Sequence, residues 1–240
     1  MIVISLFVQK PFRGILISCL LILTVNLYSQ SRFDYKSIFG DKYTNAEQYI
    51  HQNHWILDTI VRFGIEPNLA ISIIFPELIR YSALQDKVET YGIEVLYVQY
   101  GKKYADFSIG RFQIKPSFAT KLEKDWSISQ LKLKSLFQFD TIDNSTNRAK
   151  RVERLKDELW QTRYLSMFIL LNEERSSQLV DEISRLRFLA AAYNSGYWLK
   201  ENEILLKGKK NYFHTQLLKP DTCYNYTDIS IDFYKKQMPK

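Results

Sequence analysis

The chain has 240 residues, 46% hydrophobic and 15% aromatic, which is enough material for one sizeable core. With 8 glycines and 6 prolines it is not a disordered, collagenous or many-turned all-β sequence. The formal net charge of +7 suits an anionic polymer or surface as partner, and charge alone fits simple solubility equally well.

Residues 1–30 read as a separate object. Lys10 and Arg13 precede an apolar run from Gly14 to Tyr28, which ends in small or polar residues. That is the layout of a secretory signal peptide, with cleavage expected between Ser29 and Arg32. The run is shorter than the ~20 residues a bilayer span needs. Cys19 sits in a lipobox-like "LISC", but the apolar run continues past it, so it reads as part of the signal core. The mature chain, 31–240, then carries 31 basic against 26 acidic side chains and one thiol, Cys223. It has no internal disulfide and no expected membrane span. An exported location, in the periplasm or outer envelope, is the expectation.

Helical periodicity dominates the remainder, so the fold class expected is mainly α, with at most a minor β element. "AEQYIHQNHWILDTIVRFG" places Tyr49, Ile50, Ile56, Ile60 and Val61 near one face of a helix ending at Gly64. Pro67 suits the first turn of the next helix. "DKVETYGIEVLYVQYGKKY" predicts a helix with a weak point at Gly92, and "SFATKLEKDW" a short helix after Pro116. "STNRAKRVERLKDELWQTRYLSMFILLNEER" predicts one long helix whose apolar second half is the central buried element. "SQLVDEISRLRFLAAAYNSG" predicts a helix stopped by Gly196, and "DISIDFYKK" a last short one. The least regular stretch is "FQFDTIDNSTN".

Three motifs carry candidate chemistry. In "AISIIFPELIRYS" an apolar run meets Glu77 directly after Pro76. Proline removes a backbone hydrogen bond and bends the helix, which can turn Glu77 toward a cleft. A carboxyl against an apolar wall prefers its neutral form, which suits a general acid. Taken alone, the stretch equally fits an i,i+3 ion pair between Glu77 and Arg80 on a solvated face. In "FSIGRFQIKPSFA", Gly110 permits a backbone conformation closed to other residues, and Gln113 offers a neutral donor and acceptor between Phe112 and Ile114. That fits a neutral polar ligand such as a sugar, or an ordinary loop before a helix. In "LAAAYNSG", small residues allow close packing, and Tyr193 and Asn194 occupy the last turn, as ligand groups or as simple caps.

Taken together and in this order, Glu77, "GRFQIKP" (Gly110 to Pro116), "AAYNSG" (Ala191 to Gly196) and Tyr226 in "YNYTDIS" resemble the soluble-lytic-transglycosylase domain. This is a lysozyme-like family, related to goose-type lysozymes, that cuts peptidoglycan. The resemblance spans roughly Ile56 to Phe233. It implies a lysozyme-like helical domain with Glu77 as general acid and base. It implies that Ser108, Gly110 and Gln113 belong to the sugar groove, and that Tyr193 and Asn194 orient Glu77 or hold the substrate N-acetyl group. Tyr226 would hydrogen-bond Glu77, with Tyr224 as the fallback. The partner implied is the glycan strand of peptidoglycan. The rivals are a hydrolytic muramidase and a wall-binding module without activity. Three departures stand out: Leu78 replaces the usual Ser, Phe112 the usual Met, and 33 positions separate Glu77 from Gly110, an insert that could reshape the groove.

Nothing in the sequence calls for a cofactor, a metal or a nucleic acid. His51 and His54 lie three apart without an acidic or thiolate companion, a poor zinc set, and His214 stands alone. "KGKK" (Lys207 to Lys210) reads as a solvated loop able to touch anionic polymer. Asn144 heads an "NST" sequon.

Overall fold

A computed structural model describes residues 33–81, 83–215 and 222–238, with backbone alone over 83–91. The signal-peptide stretch, with Lys10, Arg13 and Cys19, lies outside the described residues. Tyr35–Lys240 forms one compact unit. Its helices are α1 (Tyr35–Phe39), α2 (Asp41–Gln52), α3 (His54–Arg62), α4 (Pro67–Arg80), α5 (Ala83–Tyr100), α6 (Pro116–Ile128), α7 (Ser145–Lys156), α8 (Glu158–Leu171), α9 (Glu173–Ser176), α10 (Glu182–Ser195), α11 (Glu201–Gly208) and α12 (Tyr226–Gln237). A short 3-10 turn covers Lys132–Leu136. The only described sheet is one antiparallel pair, β1 (Asn211–Phe213) with β2 (Tyr224–Asn225). The fold is therefore mainly helical with a minor β element. Among the described residues no helix is long and apolar enough to cross a membrane.

Helix α4 is the axis of the unit. Every residue from Leu69 to Ile79 is buried, including Pro76 and Glu77. A helix that is apolar all round must be enclosed by neighbours, and α4 packs against α2, α3, α8, α10 and α12. Phe75 stacks on Phe233 of α12 with centroids 3.7 Å apart, and the Tyr43 ring meets it edge-on at 4.8 Å. Glu66 caps the N-terminus, its carboxylate accepting from the amides of Asn68 and Leu69. The sequence assigns the central place to the apolar half of "STNRAKRVERLKDELWQTRYLSMFILL". That half, α8, is indeed buried from Gln161 to Ile169 except Arg163, and it shares the centre of the unit with α4.

Two helices read as continuous are broken. Asn53 separates α2 from α3, its side-chain Nδ2 donating to Tyr49 O at 2.8 Å. The break shifts the helical phase, so Tyr49, Ile50, Ile56 and Ile60 are buried as expected while Val61 is 56% exposed. Asp157 separates α7 from α8. Its backbone is extended at ψ 120°, and its carboxylate accepts from Trp160 N at 2.8 Å, which caps α8. By contrast α5 runs through Gly92 without a break. Of "FQFDTIDNSTN", the first eight residues are irregular as expected while "STN" opens α7, and Phe137 and Phe139 pack against Trp160.

The helices around the insert are tied by one buried charge cluster. Glu123 of α6 is fully buried. Its Oε2 accepts from Arg151 Nε at 2.9 Å, and its Oε1 accepts from Arg154 at 2.7 Å and from the Tyr164 hydroxyl. Arg151 also donates to Tyr97 of α5 at 2.8 Å. The cluster thus joins α5, α6, α7 and α8. Stranding a buried charge costs more than the pair contributes when intact. Glu123→Gln should therefore destabilise the fold by about 3–5 kcal/mol, read by urea unfolding; a change below ~1 kcal/mol would mean water reaches the two arginines.

Candidate active site

Glu77 lies at the base of an open cleft of about 270 Å³. The same cleft is lined by Ser108, Gln113, Tyr193 and Asn194, so the structure brings together five residues that the sequence spreads over 118 positions. Each is delivered by a specific local device.

Glu77 follows Pro76 in the last turns of α4 and is 4% exposed. Burial pushes its carboxyl above the ordinary glutamate value, against the opposing pull of Arg80 and then Lys115. Arg80 Nη1 lies 3.1 Å from Glu77 Oε2. The i,i+3 pair is thus real, but its glutamate is buried and faces the cleft, not the bulk solvent. The guanidinium is itself fixed: Arg80 Nε donates to His214 O at 3.2 Å, and the group lies 4.6 Å from the Phe213 ring centroid. Phe213 of strand β1 and the carbonyl of His214 just after it thereby hold the counter-charge in place.

Two tyrosines flank the carboxyl. The Tyr226 hydroxyl donates to Ile73 O at 2.9 Å, and the Tyr193 hydroxyl donates to Phe112 O at 2.7 Å. Both are buried, and both feel the charge of Glu77. A hydroxyl has one proton. With that proton given to a backbone carbonyl, each tyrosine turns only lone pairs toward neighbours, which suits a Glu77 that carries its own proton. Were Tyr226 to turn its proton from Ile73 O to Glu77, it would instead favour the carboxylate. Tyr226, not Tyr224, is the tyrosine beside Glu77; the Tyr224 ring packs against Phe39 and Tyr35. Tyr226 does not line the cleft. It stands behind Glu77 as the first residue of α12, a helix start fixed by Asn225, whose Oδ1 accepts from Asp228 N at 3.0 Å.

The second motif forms a tight hairpin. Ile109 and Ile114 exchange backbone bonds of 3.1 and 3.2 Å, and Gln113 N donates to Gly110 O at 3.0 Å. Gly110 has φ +69°, and a Cβ there would come 2.1 Å from Gln161 Nε2. Gly110 therefore does not face the cleft; it lets Gln161 of α8 reach the hairpin, where Gln161 Oε1 accepts from Phe112 N at 2.8 Å. Gln113 adopts φ +52°, which a non-glycine residue takes only when its surroundings enforce it. Its Nε2 donates to Gly110 O at 2.7 Å, which fixes the amide and leaves its oxygen and one N–H for a ligand.

The third motif behaves as the end of α10. Asn194 is exposed, and neither it nor Ser108 makes a side-chain hydrogen bond to the described residues. Both are thus unengaged polar groups on the cleft wall.

The cleft holds further residues that motif reading passed over or assigned elsewhere: Arg80, Asp106, Lys115, Ser117, Phe118 and Trp198. Asp106 is the other carboxylate present. It accepts from Ser117 N at 2.9 Å and Ser117 Oγ at 2.7 Å, so it caps the start of α6. None of the described side chains of α5 lines the cleft. That helix docks on α7, with Lys156 to Glu94 at 2.6 Å and Arg148 Nε to Val98 O at 3.0 Å. Among the described residues no group of His, Cys, Asp or Glu is arranged to hold a metal ion. Cys223 is a free, half-buried thiol. No family model, curated protein or solved structure matches this chain.

The raised carboxyl makes a prediction about stability. Below about pH 4.5 both folded and unfolded chains hold the Glu77 proton, and the group adds no pH dependence. As pH rises, the unfolded chain releases its proton first, so the wild type loses stability until the folded-state carboxyl ionises. Glu77→Gln has no such loss. Thermal unfolding of both proteins at about pH 4 and about pH 7 should show a gap that opens in favour of the variant at the higher pH. A variant that loses ground on the wild type as pH rises would mean that Arg80 and Lys115 outweigh burial.

Proposed function

We propose that this chain is a peptidoglycan lytic transglycosylase, an exported lysozyme-like enzyme that cleaves the glycosidic bond between N-acetylmuramic acid and N-acetylglucosamine. The observation that carries the reading is the buried Glu77 carboxyl at the base of a cleft whose walls present the Gln113 amide oxygen and the unengaged Ser108 and Asn194 side chains. A neutral sugar strand is recognised by such uncharged hydrogen-bonding groups.

Glu77 acts first as an acid. Burial raises its carboxyl above the ordinary glutamate value and so favours the protonated form, and the proton passes to the glycosidic oxygen as the bond to the anomeric carbon breaks. The carboxylate left behind is met by Arg80, 3.1 Å away. Burial therefore favours the reactant state of Glu77 and the guanidinium favours its product state, which keeps the group able to switch. The oxocarbenium-like centre is stabilised by the substrate's own N-acetyl oxygen. Glu77 then removes the proton from the muramic acid's primary hydroxyl, that oxygen closes on the anomeric carbon, and no water is consumed.

A second reading has one observation in its favour. Asp106 lines the same cleft, and glycosidases commonly use two carboxylates. In a hydrolase it would activate water or attack the sugar. Its two oxygens are occupied by Ser117, so the single-carboxyl mechanism is preferred.

Incubation of the mature protein with purified peptidoglycan and mass analysis of the soluble products tests this. The expected products end in anhydro-muramic residues, each one water lighter than a hydrolysis product. Glu77→Gln should release nothing yet still sediment with the wall, and Asp106→Asn should keep most of the activity. Asn194→Ala or Gln113→Ala should lower turnover by about 10²–10³-fold, the loss of one preorganised hydrogen bond. Full-mass reducing ends, with Asp106→Asn as inactive as Glu77→Gln, would establish a muramidase. Binding without release by the wild type would leave a wall-binding module.

A further inference from the structure

Trp198 is the exposed aromatic side chain on the cleft that none of the motif roles uses. It follows "AAYNSG" by two residues, is 47% exposed and lines the cleft with Glu77 and Asn194. Exposure of an indole is ordinary in isolation. Here three features set it apart. Gly196, at φ +104°, makes room for it: a Cβ at that position would come 2.7 Å from Trp198 Cζ2, so the indole sits where only a glycine leaves space. Tyr197 and Phe118 brace it, with ring centroids 5.5 and 6.1 Å away, the first edge-on and the second tilted. Those two rings are themselves locked into the core, because Tyr197 donates to Asp125 at 2.8 Å and Phe118 packs on Phe168. Finally, the indole N–H makes no hydrogen bond to the described residues, whereas Trp126 donates its N–H to Lys134 O and Trp55 to Asn53 Oδ1. A rigid ring with an open face and a free donor, beside Asn194, is a preorganised surface that pays little entropy on binding.

Resting on the reading of the cleft as a saccharide site, we infer that Trp198 is a sugar-stacking platform. It takes the apolar C–H face of an N-acetylhexosamine ring against its indole, donates its N–H to a ring substituent, and so sets where along the strand the scissile bond meets Glu77. The pairing is chemically apt: a pyranose ring has one face of C–H groups and an equator of hydroxyls, matching an indole with polar neighbours at its edge.

The test uses the full mature chain carrying Glu77→Gln, which cannot turn substrate over, and a soluble tetramer of β-linked N-acetylglucosamine as the probe. Of the four tryptophans, Trp126 is fully buried, and only Trp198 lines this cleft. Titration should shift and change tryptophan emission. With Trp198→Phe the emission change should vanish while most of the affinity remains, because a flat apolar face is retained. With Trp198→Ala the dissociation constant should rise about ten-fold. On wild-type background and with peptidoglycan as substrate, Trp198→Ala should raise KM more than it lowers kcat. Circular dichroism of the Phe variant guards against misfolding. An unchanged dissociation constant in the Ala variant, persistence of the emission change in the Phe variant, or no tetramer binding by a chain that cleaves peptidoglycan would each overturn the platform while leaving the Glu77 reading intact. Tetramer binding through Trp198 by a chain whose wild type releases nothing from the wall would do the reverse.

Discussion

A carboxyl group removed from water must keep its proton or find a cation. Glu77 is arranged between these alternatives. It stands at the end of a helix that is buried on every side, so nothing apolar around it can solvate a charge. It has one close guanidinium, Arg80, and two buried tyrosines whose hydroxyls also reach Ile73 O and Phe112 O. Burial prevails, and the carboxyl is held above its ordinary range. The rest of the unit can be seen as the means of keeping α4 enclosed while leaving one side of Glu77 open to a cleft.

That opening is built mostly from side chains that hydrogen-bond backbone groups. Helix α8 sends Gln161 to Phe112 N, α10 sends Tyr193 to Phe112 O, and the two grips hold the hairpin from Ile109 to Ile114. Gly110 is needed because any side chain there would collide with Gln161. The turn then forces Gln113 to a positive φ and aims its amide at the cleft. Asp106 caps α6 from the segment entering the hairpin, and Gly196 ends α10 while seating Trp198. Helix ends and one hairpin thus converge on the carboxyl, the hairpin being fixed by partners far away in sequence.

The sequence made the helices legible because their apolar residues recur at helical spacing, and it made the site legible because Glu77, Gln113, Tyr193 and Asn194 sit in recognisable local patterns. It hid whatever depends on tertiary packing. The breaks at Asn53 and Asp157 were masked by an uninterrupted helical pattern, although each break residue is a capping type; an aspartate followed by Glu158 was the available signal for the second. Val61 was misplaced because the Asn53 break changed the phase of the helix. Gly110 appeared as a ligand-side residue, but its partner, Gln161, lies 51 positions later and carries no motif. The Glu77–Arg80 pair was readable from spacing, and its location on the cleft was not. Trp198 had no signal beyond its nearness to "AAYNSG", since the exposure that distinguishes it is a property of the fold.

The central claim is that burial, against the pull of Arg80, keeps the proton on Glu77. Side-chain carboxyl carbon shifts in protein labelled at glutamate, with the Glu77 resonance assigned by its loss in Glu77→Gln, measure that directly across a pH titration. The account expects a midpoint above 4.5, the ordinary glutamate value, and a further rise when Arg80→Gln removes the guanidinium. A midpoint at or below 4.5 would contradict it, because Glu77 would then be an ordinary ion-paired carboxylate with no proton to give near neutral pH.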